Sequence, residues 1–325
     1  MPAFARSRPI AHPSLLGLAG LLFTVLTACQ SAASSQFGGA ETRLDPRIDE
    51  VSGLAASTRQ TGVYWAHNDS RAFFDSQSTE PLLYAVDAEG RVRGELWVDG
   101  LKPYDWEAIS AFRWKGKGYL LIGDLGDNRA RRGRGIRLDA VEEPGKAEGR
   151  LHVGPAWTLR LTYPDGPRDA EAMAVDGAEG AVYILSKRDV PARLYRAPLL
   201  AGKGGSRKLD YLGEIAELAA PLTTGMPSEL KVLPFTHQPT DMAFAPDGGE
   251  VAVLTYAHLY VFRRPAGLSW LEALRGTPEV IDLPGARQYE GLSYSRDGVA
   301  WLIVQEGEGS PVLRLPRRGM QGQAR

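Results

Sequence analysis

Asp105-Trp106-Glu107-Ala108-Ile109-Ser110 is a phrase that returns, in degraded form, along most of the chain. It recurs as Asp169-Ala170-Glu171-Ala172-Met173-Ala174 and as Tyr289-Glu290-Gly291-Leu292-Ser293, and more loosely as Val51-Ser52-Gly53-Leu54-Ala55 and Thr240-Asp241-Met242-Ala243-Phe244. Self-similarity at intervals of tens of residues marks a repeat architecture, in which one unit buries its apolar face only against the next.

The residues C-terminal to the copies identify the unit. Val175-Asp176-Gly177 leads into Ala181–Leu185, Ala245-Pro246-Asp247-Gly248 into Val251–Leu254, and Ser295-Arg296-Asp297-Gly298 into Val299–Val304. Asp-Gly between β-rich runs is hairpin punctuation, because glycine supplies the positive φ that the turn needs. Only Leu268–Leu274 reads as a short helix. The expected fold class is therefore all-β, a β-propeller built from antiparallel blades. Counted from Ser52, Glu107, Glu171, Thr240 and Glu290, the intervals are 55, 64, 69 and 50 residues. A blade takes about 40 to 50 residues, so the middle units carry insertions. Five blades is the preferred reading; six is the alternative, with the extra blade in Leu209–Pro239. The last unit runs out of chain soon after Leu313, so the segment before Asp49 is expected to supply a closing strand.

Aligned on Leu54, Ile109, Met173, Met242 and Leu292, the repeats show two polar columns. The first is Glu50, Asp105, Asp169, Gln238 and Gln288; the second is Ser52, Glu107, Glu171, Thr240 and Glu290. Residues two apart share a face of a strand, so the columns should lie together where each innermost strand begins. The next column, Gly53, Ala108, Ala172, Asp241 and Gly291, is mostly small, as crowding at a ring axis requires.

The second strand of each unit returns antiparallel, which carries a further polar set to the same mouth: His67, Asn68 and Asp69; Asp124, Asp127 and Asn128; Lys187, Arg188 and Asp189; Tyr256 and His258; Gln305, Glu306 and Glu308. Massed carboxylates repel one another and are costly to desolvate unless paired or bound to a cation. Two outcomes fit. Asp105, Glu107, Asp169, Glu171 and Glu290 could hold a hard cation, calcium above all. Alternatively, the acids pair internally with Arg168, Lys187 and Arg188. An arginine-rich run, Arg129, Arg131, Arg132, Arg134 and Arg137, offers either an anion grip or a solvated loop. His67 beside Asn68-Asp69 is the one histidine placed to act as a base.

The N-terminus has a separate logic. Arg6, Arg8 and His12 precede the apolar run Leu15–Leu26, which ends in Leu26-Thr27-Ala28-Cys29. That order belongs to an export signal and is too short for a mature membrane span. The boundaries read as a signal peptide at 1–28, a small-residue tether at 29–46, the propeller at 47–316 and a tail at 317–325. Cys29 is the only cysteine, so it cannot form an internal disulfide.

With 38 basic against 39 acidic residues, the charge balance carries no nucleic-acid footprint. No Gly-x-Ser-x-Gly or His-Glu-x-x-His motif is present.

Leu26-Thr27-Ala28-Cys29 resembles a bacterial lipobox, which implies acylation of Cys29 and attachment to the membrane of the cell envelope; Gln30 after it implies sorting to the outer membrane. Ser52-Gly53-Leu54-Ala55 and Glu290-Gly291-Leu292-Ser293 resemble the blade-opening segments of secreted bacterial β-propellers of the phytase-like and SdiA-regulated type. In calcium-dependent phytases, glutamates of this segment help bind metal, and Glu107, Glu171 and Glu290 are the matching positions. Ser52 and Thr240 depart from the pattern. The function expected is an exported, lipid-anchored propeller that binds a cation and an unknown small-molecule, glycan or protein ligand without catalysis; the alternative is a calcium-dependent phosphoester hydrolase.

Overall fold

A computed structural model describes residues 42–69, 80–199, 206–220, 234–284 and 288–317. The expected signal peptide, Cys29 and most of the expected tether lie outside these residues, as does part of the span considered for a sixth blade.

Among the described residues the chain forms five sheets, each led by one of the recurring segments. Blade 1 comprises β1 (Val51–Ala56), β2 (Val63–Asn68), β3 (Leu82–Asp87) and β4 (Val92–Val98). Blade 2 comprises β5 (Trp106–Trp114), β6 (Lys117–Asp124), β7 (Ile136–Glu142) and, after the excursion β8 (Gly149–Val153), β9 (Pro155–Thr162). Blade 3 comprises β10 (Ala170–Asp176), β11 (Ala181–Ser186), β12 (Arg193–Pro198) and, after β13 (Ser206–Lys208), β14 (Asp210–Glu214). Blade 4 comprises β15 (Pro239–Phe244), β16 (Glu250–Thr255), β17 (His258–Arg263) and β18 (Glu279–Asp282). Blade 5 comprises β19 (Tyr289–Tyr294), β20 (Ala300–Gln305) and β21 (Leu313–Pro316).

The insertions act as straps. β8 leaves blade 2 to pair parallel with β4, and β13 leaves blade 3 to pair parallel with β9. Each covers an outer edge that would otherwise expose unpaired backbone groups. Both excursions fall within the two longest intervals between repeats.

The inner strands β1, β5, β10, β15 and β19 pack on one another in cyclic order. Between consecutive blades lie five apolar layers, the last of which joins Val51 and Leu54 of blade 1 to Leu302 and Val304 of blade 5. Closure is shorter than a strand: Arg43 bridges Pro311, with the Leu44 N–H donating to the Ser310 carbonyl at 2.8 Å and the Val312 N–H to the Thr42 carbonyl at 2.9 Å. Residues 42–46, read as the end of a tether, thus belong to the fold. So does Arg317, whose guanidinium meets Glu250 at 2.8 Å and Asp247 at 3.0 Å.

β14 completes blade 3, so among the described residues the span from Leu209 contributes to five blades rather than forming a sixth. The expected helix is α1 (Trp270–Leu274), started by a Ser269–Glu272 capping box. It drives Trp270 into the layer between blades 3 and 4, where the indole N–H donates to Asp176 at 2.8 Å.

Candidate cation site at the mouth of the ring

All five inner strands share one irregularity. The pairing register slips between Trp106 and Ala108, Ala170 and Ala172, Pro239 and Asp241, and Tyr289 and Gly291, and between Val51 and Leu54. In the four blades after the first, the extra residue is Glu107, Glu171, Thr240 or Glu290. The second polar column is therefore a ring of β-bulges, which free a side chain from the ladder and re-aim it. Simple two-residue alternation does not relate the two columns, because the bulge interrupts it. The first column stands one residue before each inner strand.

A third column accompanies them: Asp69, Leu125, Lys187, Tyr256 and Glu306, each the first residue after a blade's second strand. In four blades its N–H donates to the carbonyl of the first-column residue: Asp69 to Glu50, Leu125 to Asp105, Lys187 to Asp169 and Glu306 to Gln288, at 2.6 to 3.1 Å. This bond ties the end of the second strand to the start of the first and repeats the same corner around the mouth.

The small column behaves as crowding demands. A Cβ on Gly291 would lie 2.4 Å from Val304 Cγ2, and one on Gly53 3.0 Å from the Ile109 nitrogen. Asp241 is the exception. Its buried carboxylate accepts the N–H of Met242 and that of Leu292 across the blade boundary, each at 2.7 Å. It is a structural hub.

Three acids converge. Ligand oxygens of Asp69, Asp105 and Glu107 all lie within 4.8 Å of one another. Two cation–oxygen bonds of about 2.4 Å end to end span that distance, so the set fits a hard divalent ion such as calcium. Gly126 leaves the room for it: a Cβ there would sit 2.3 Å from Asp105 Oδ2 and 2.6 Å from Glu107 Oε1. Ser52 Oγ donates to Glu107 Oε2 at 2.9 Å and fixes its orientation. Burial, then the negative charges of Asp69 and Asp169, push the Asp105 carboxyl up to about 7. Burial and Glu171, Asp69 and Asp105 hold Glu107 well above the usual carboxylate range.

Beside these acids stands a side-chain cation. Lys187 Nζ is paired with Glu171 and lies 5.2 Å from the centre of the Tyr256 ring. Burial works against its charge, but Glu171, Glu290 and Glu107 hold the ammonium well above its ordinary value. Glu171 is raised by burial to about 7, with Lys187 pulling the other way. Glu290 is raised by burial, by Glu171 and by Glu306.

The remaining expected site residues divide. Asp169 accepts from Arg188 Nε at 2.6 Å and from the Asp127 N–H at 2.9 Å, and Arg188 also reaches Asn128. Asp127 in turn accepts the N–H groups of Arg131 and Arg132. Asp124 holds Arg132 at 2.5 Å and Arg137 at 3.1 Å and accepts the N–H of Asp105. Two members of the arginine run are thus committed to internal pairs, while Arg131 and Arg134 are exposed. Arg168 belongs to a separate network with Asp165 and Asp189. His67 is wholly buried, edge-on to Trp106, with Nδ1 donating to the Asn68 carbonyl at 3.0 Å. Burial drops its pKa to about 4, so it is a neutral packing residue beneath the mouth. The sequence already brings Tyr256 and Glu306 to this mouth; the structure adds that they stand in one column with Asp69, Leu125 and Lys187, each the first residue after a second strand.

No protein-family model matches the chain, and a comparison with curated proteins gives no match. Among solved structures, similarity is found to the β-propeller domain of Myceliophteria thermophila Cps50 (Swd1), at 10% identity over 86% of this chain and 98% of that one, TM-score 0.40. The WD40 repeats of RRP9 match at 15% identity over 82% of this chain and 67% of that one, TM-score 0.36. At these values the likeness carries no argument for the fold or for the site.

Proposed function

We propose that this chain is a cation-binding β-propeller of the bacterial cell envelope, exported and held at the outer membrane by acylation of Cys29, which presents a bound divalent ion to a ligand at the mouth of the ring. The observation that carries the cation reading is the convergence of Asp69, Asp105 and Glu107 from two blades, with ligand oxygens within 4.8 Å. Calcium takes six to eight oxygens, so three carboxylates leave positions for water and for an incoming ligand. A bound ion supplies positive charge for a ligand's oxygens. The chain's own residues orient the acids: Ser52 on Glu107 and the Asp124 carboxylate on the Asp105 N–H. The reading of the N-terminus rests on Leu26-Thr27-Ala28-Cys29.

Binding without catalysis is favoured because His67, the histidine expected to act as a base, is wholly buried edge-on to Trp106. A second reading, a calcium-dependent phosphoester hydrolase of the phytase-like kind, draws on the exposed Arg131 and Arg134, whose loop is pinned to the mouth through Asp127.

Thermal unfolding of chelator-treated protein with and without calcium tests the proposal. Calcium should raise the melting temperature, and Glu107→Gln should abolish the rise. No change with calcium, magnesium or manganese would sink the cation reading. Where calcium binds, turnover in a phosphoester and lactone screen selects the hydrolase, and a silent screen selects the binding protein.

A further inference from the structure

We infer that the rim of the mouth at blades 2 and 3 is a docking surface for an acidic segment of a partner protein, gripped by Arg131 and Arg134 and anchored on Tyr104 and Val190. Residues 128–137 carry five arginines and no acidic residue. The backbone of this run is tied down. The Asp127 carboxylate accepts the N–H of Arg131 at 2.8 Å and of Arg132 at 2.6 Å, and the Asp127 carbonyl accepts that of Ala130 at 2.7 Å. Ala130 takes a φ of 48°, in the left-handed region that a residue other than glycine occupies at a cost. Asp124 and Asp139 engage Arg132 and Arg137. Arg131 and Arg134 are exposed, and among the described residues their guanidinium groups form no ion pair.

Apolar anchors stand on the same rim. Tyr104 and Val190, 60% and 62% exposed, are the most exposed large apolar side chains among the described residues. The Arg132 guanidinium carbon lies 4.7 Å from the centre of the Tyr104 ring, and the Tyr104 N–H donates to Asp124 at 3.2 Å, so an exposed ring is held in place. Val190 comes two residues after Arg188, which reaches Asn128 at the head of the arginine run. Arginine, unlike lysine, grips a carboxylate through two parallel N–H groups. Guanidinium groups alone would suit a phosphate equally, but tyrosine and arginine together are the side chains that carry binding energy in protein interfaces. One tyrosine and one valine offer too little apolar area to hold a bilayer surface. The surface uses none of Asp69, Asp105 and Glu107, so it stands apart from the cation reading.

Fluorescence anisotropy of a fluorescein-labelled peptide of alternating glutamate and leucine, titrated with the detergent-solubilised full chain in chelator, tests the inference. The peptide should bind saturably, and more weakly as salt is added. Arg131→Gln with Arg134→Gln should weaken binding by about tenfold, and Tyr104→Ala by a similar factor. The melting temperature of the double variant should be unchanged, since both side chains are exposed. No saturable binding overturns the inference, as does equal binding of a peptide with lysine in place of glutamate. Binding that inorganic phosphate displaces and Tyr104→Ala leaves unchanged would assign the arginines to a free anion and also overturn it. Phosphatidylglycerol vesicles that bind the Cys29→Ser chain in the peptide's place would assign the rim to a membrane, with the same consequence.

Discussion

Raising the pH should weaken the metal-free protein over a range in which most proteins are indifferent to it. Asp105 moves from an ordinary value of 3.8 to about 7 on folding, and Glu171 from 4.5 to about 7. A carboxyl whose folded pKa exceeds its unfolded one binds more protons when folded, so it stabilises the fold at low pH and loses that contribution as pH rises through the folded value. Between pH 6 and 8 each such group should give up about one decade of proton affinity, on the order of 1 to 2 kcal/mol. Glu107 and Glu290, raised further, act in the same direction. His67 opposes them: it is held neutral by burial, with its pKa lowered to about 4, so the fold gains as pH rises past the unfolded value of 6.5. From pH 6 upward that gain is roughly 1 kcal/mol. The net expectation is a loss of about 2 kcal/mol from pH 6 to 8, read by urea unfolding followed by tryptophan fluorescence in chelator. Saturating calcium should remove the part of the loss that Asp105 contributes, since it binds the ionised carboxylates of Asp69, Asp105 and Glu107, and Asp105→Asn should remove that same part, well over half of the net. Stability in chelator that is flat or rising from pH 6 to 8 would refute the assignment of these acids to one shared, desolvated field.

Two further outcomes are expected. Asp241→Ala leaves the buried N–H groups of Met242 and Leu292 without their acceptor, which should cost about 2 to 6 kcal/mol in urea unfolding at 1 to 3 kcal/mol per group; a change under about 1 kcal/mol would show that the hub is dispensable. Cys29→Ser should abolish incorporation of radiolabelled palmitate and shift the protein from the envelope to the soluble fraction with no change in melting temperature, and continued labelling would place the modification elsewhere.

Much of the fold is legible in the sequence because its signals are local. Glu250–Thr255 reads as a strand from its apolar run alone and is β16 residue for residue. Ala181–Leu185 and Leu82–Val86 likewise match β11 and β3 to within a residue at one end. β7 escapes such a reading because Asp139 interrupts its apolar pattern; the structure buries that carboxylate against Arg137 and Thr158. β8 and β13 escape it for a different reason. Each is short and partly exposed, and is a strand only because a neighbouring blade offers it an open edge.

The sequence by itself determined the number of repeats, their hairpins and the identity of the acids, since all three depend on residues within one unit. It could not say which acids meet. Glu107 lies in an inner strand, Asp105 stands just before it and Asp69 belongs to another blade; their meeting depends on a bulge and on the packing of one blade against the next. Nor could it tell that Arg168 and Lys187, both basic and nineteen residues apart, would part company. Lys187 directly follows a second strand and pairs its charge with Glu171 at the mouth, whereas Arg168 is drawn off by Asp165 and Asp189. Coulombic partnership is set by distances across blades, and only the tertiary structure decides those.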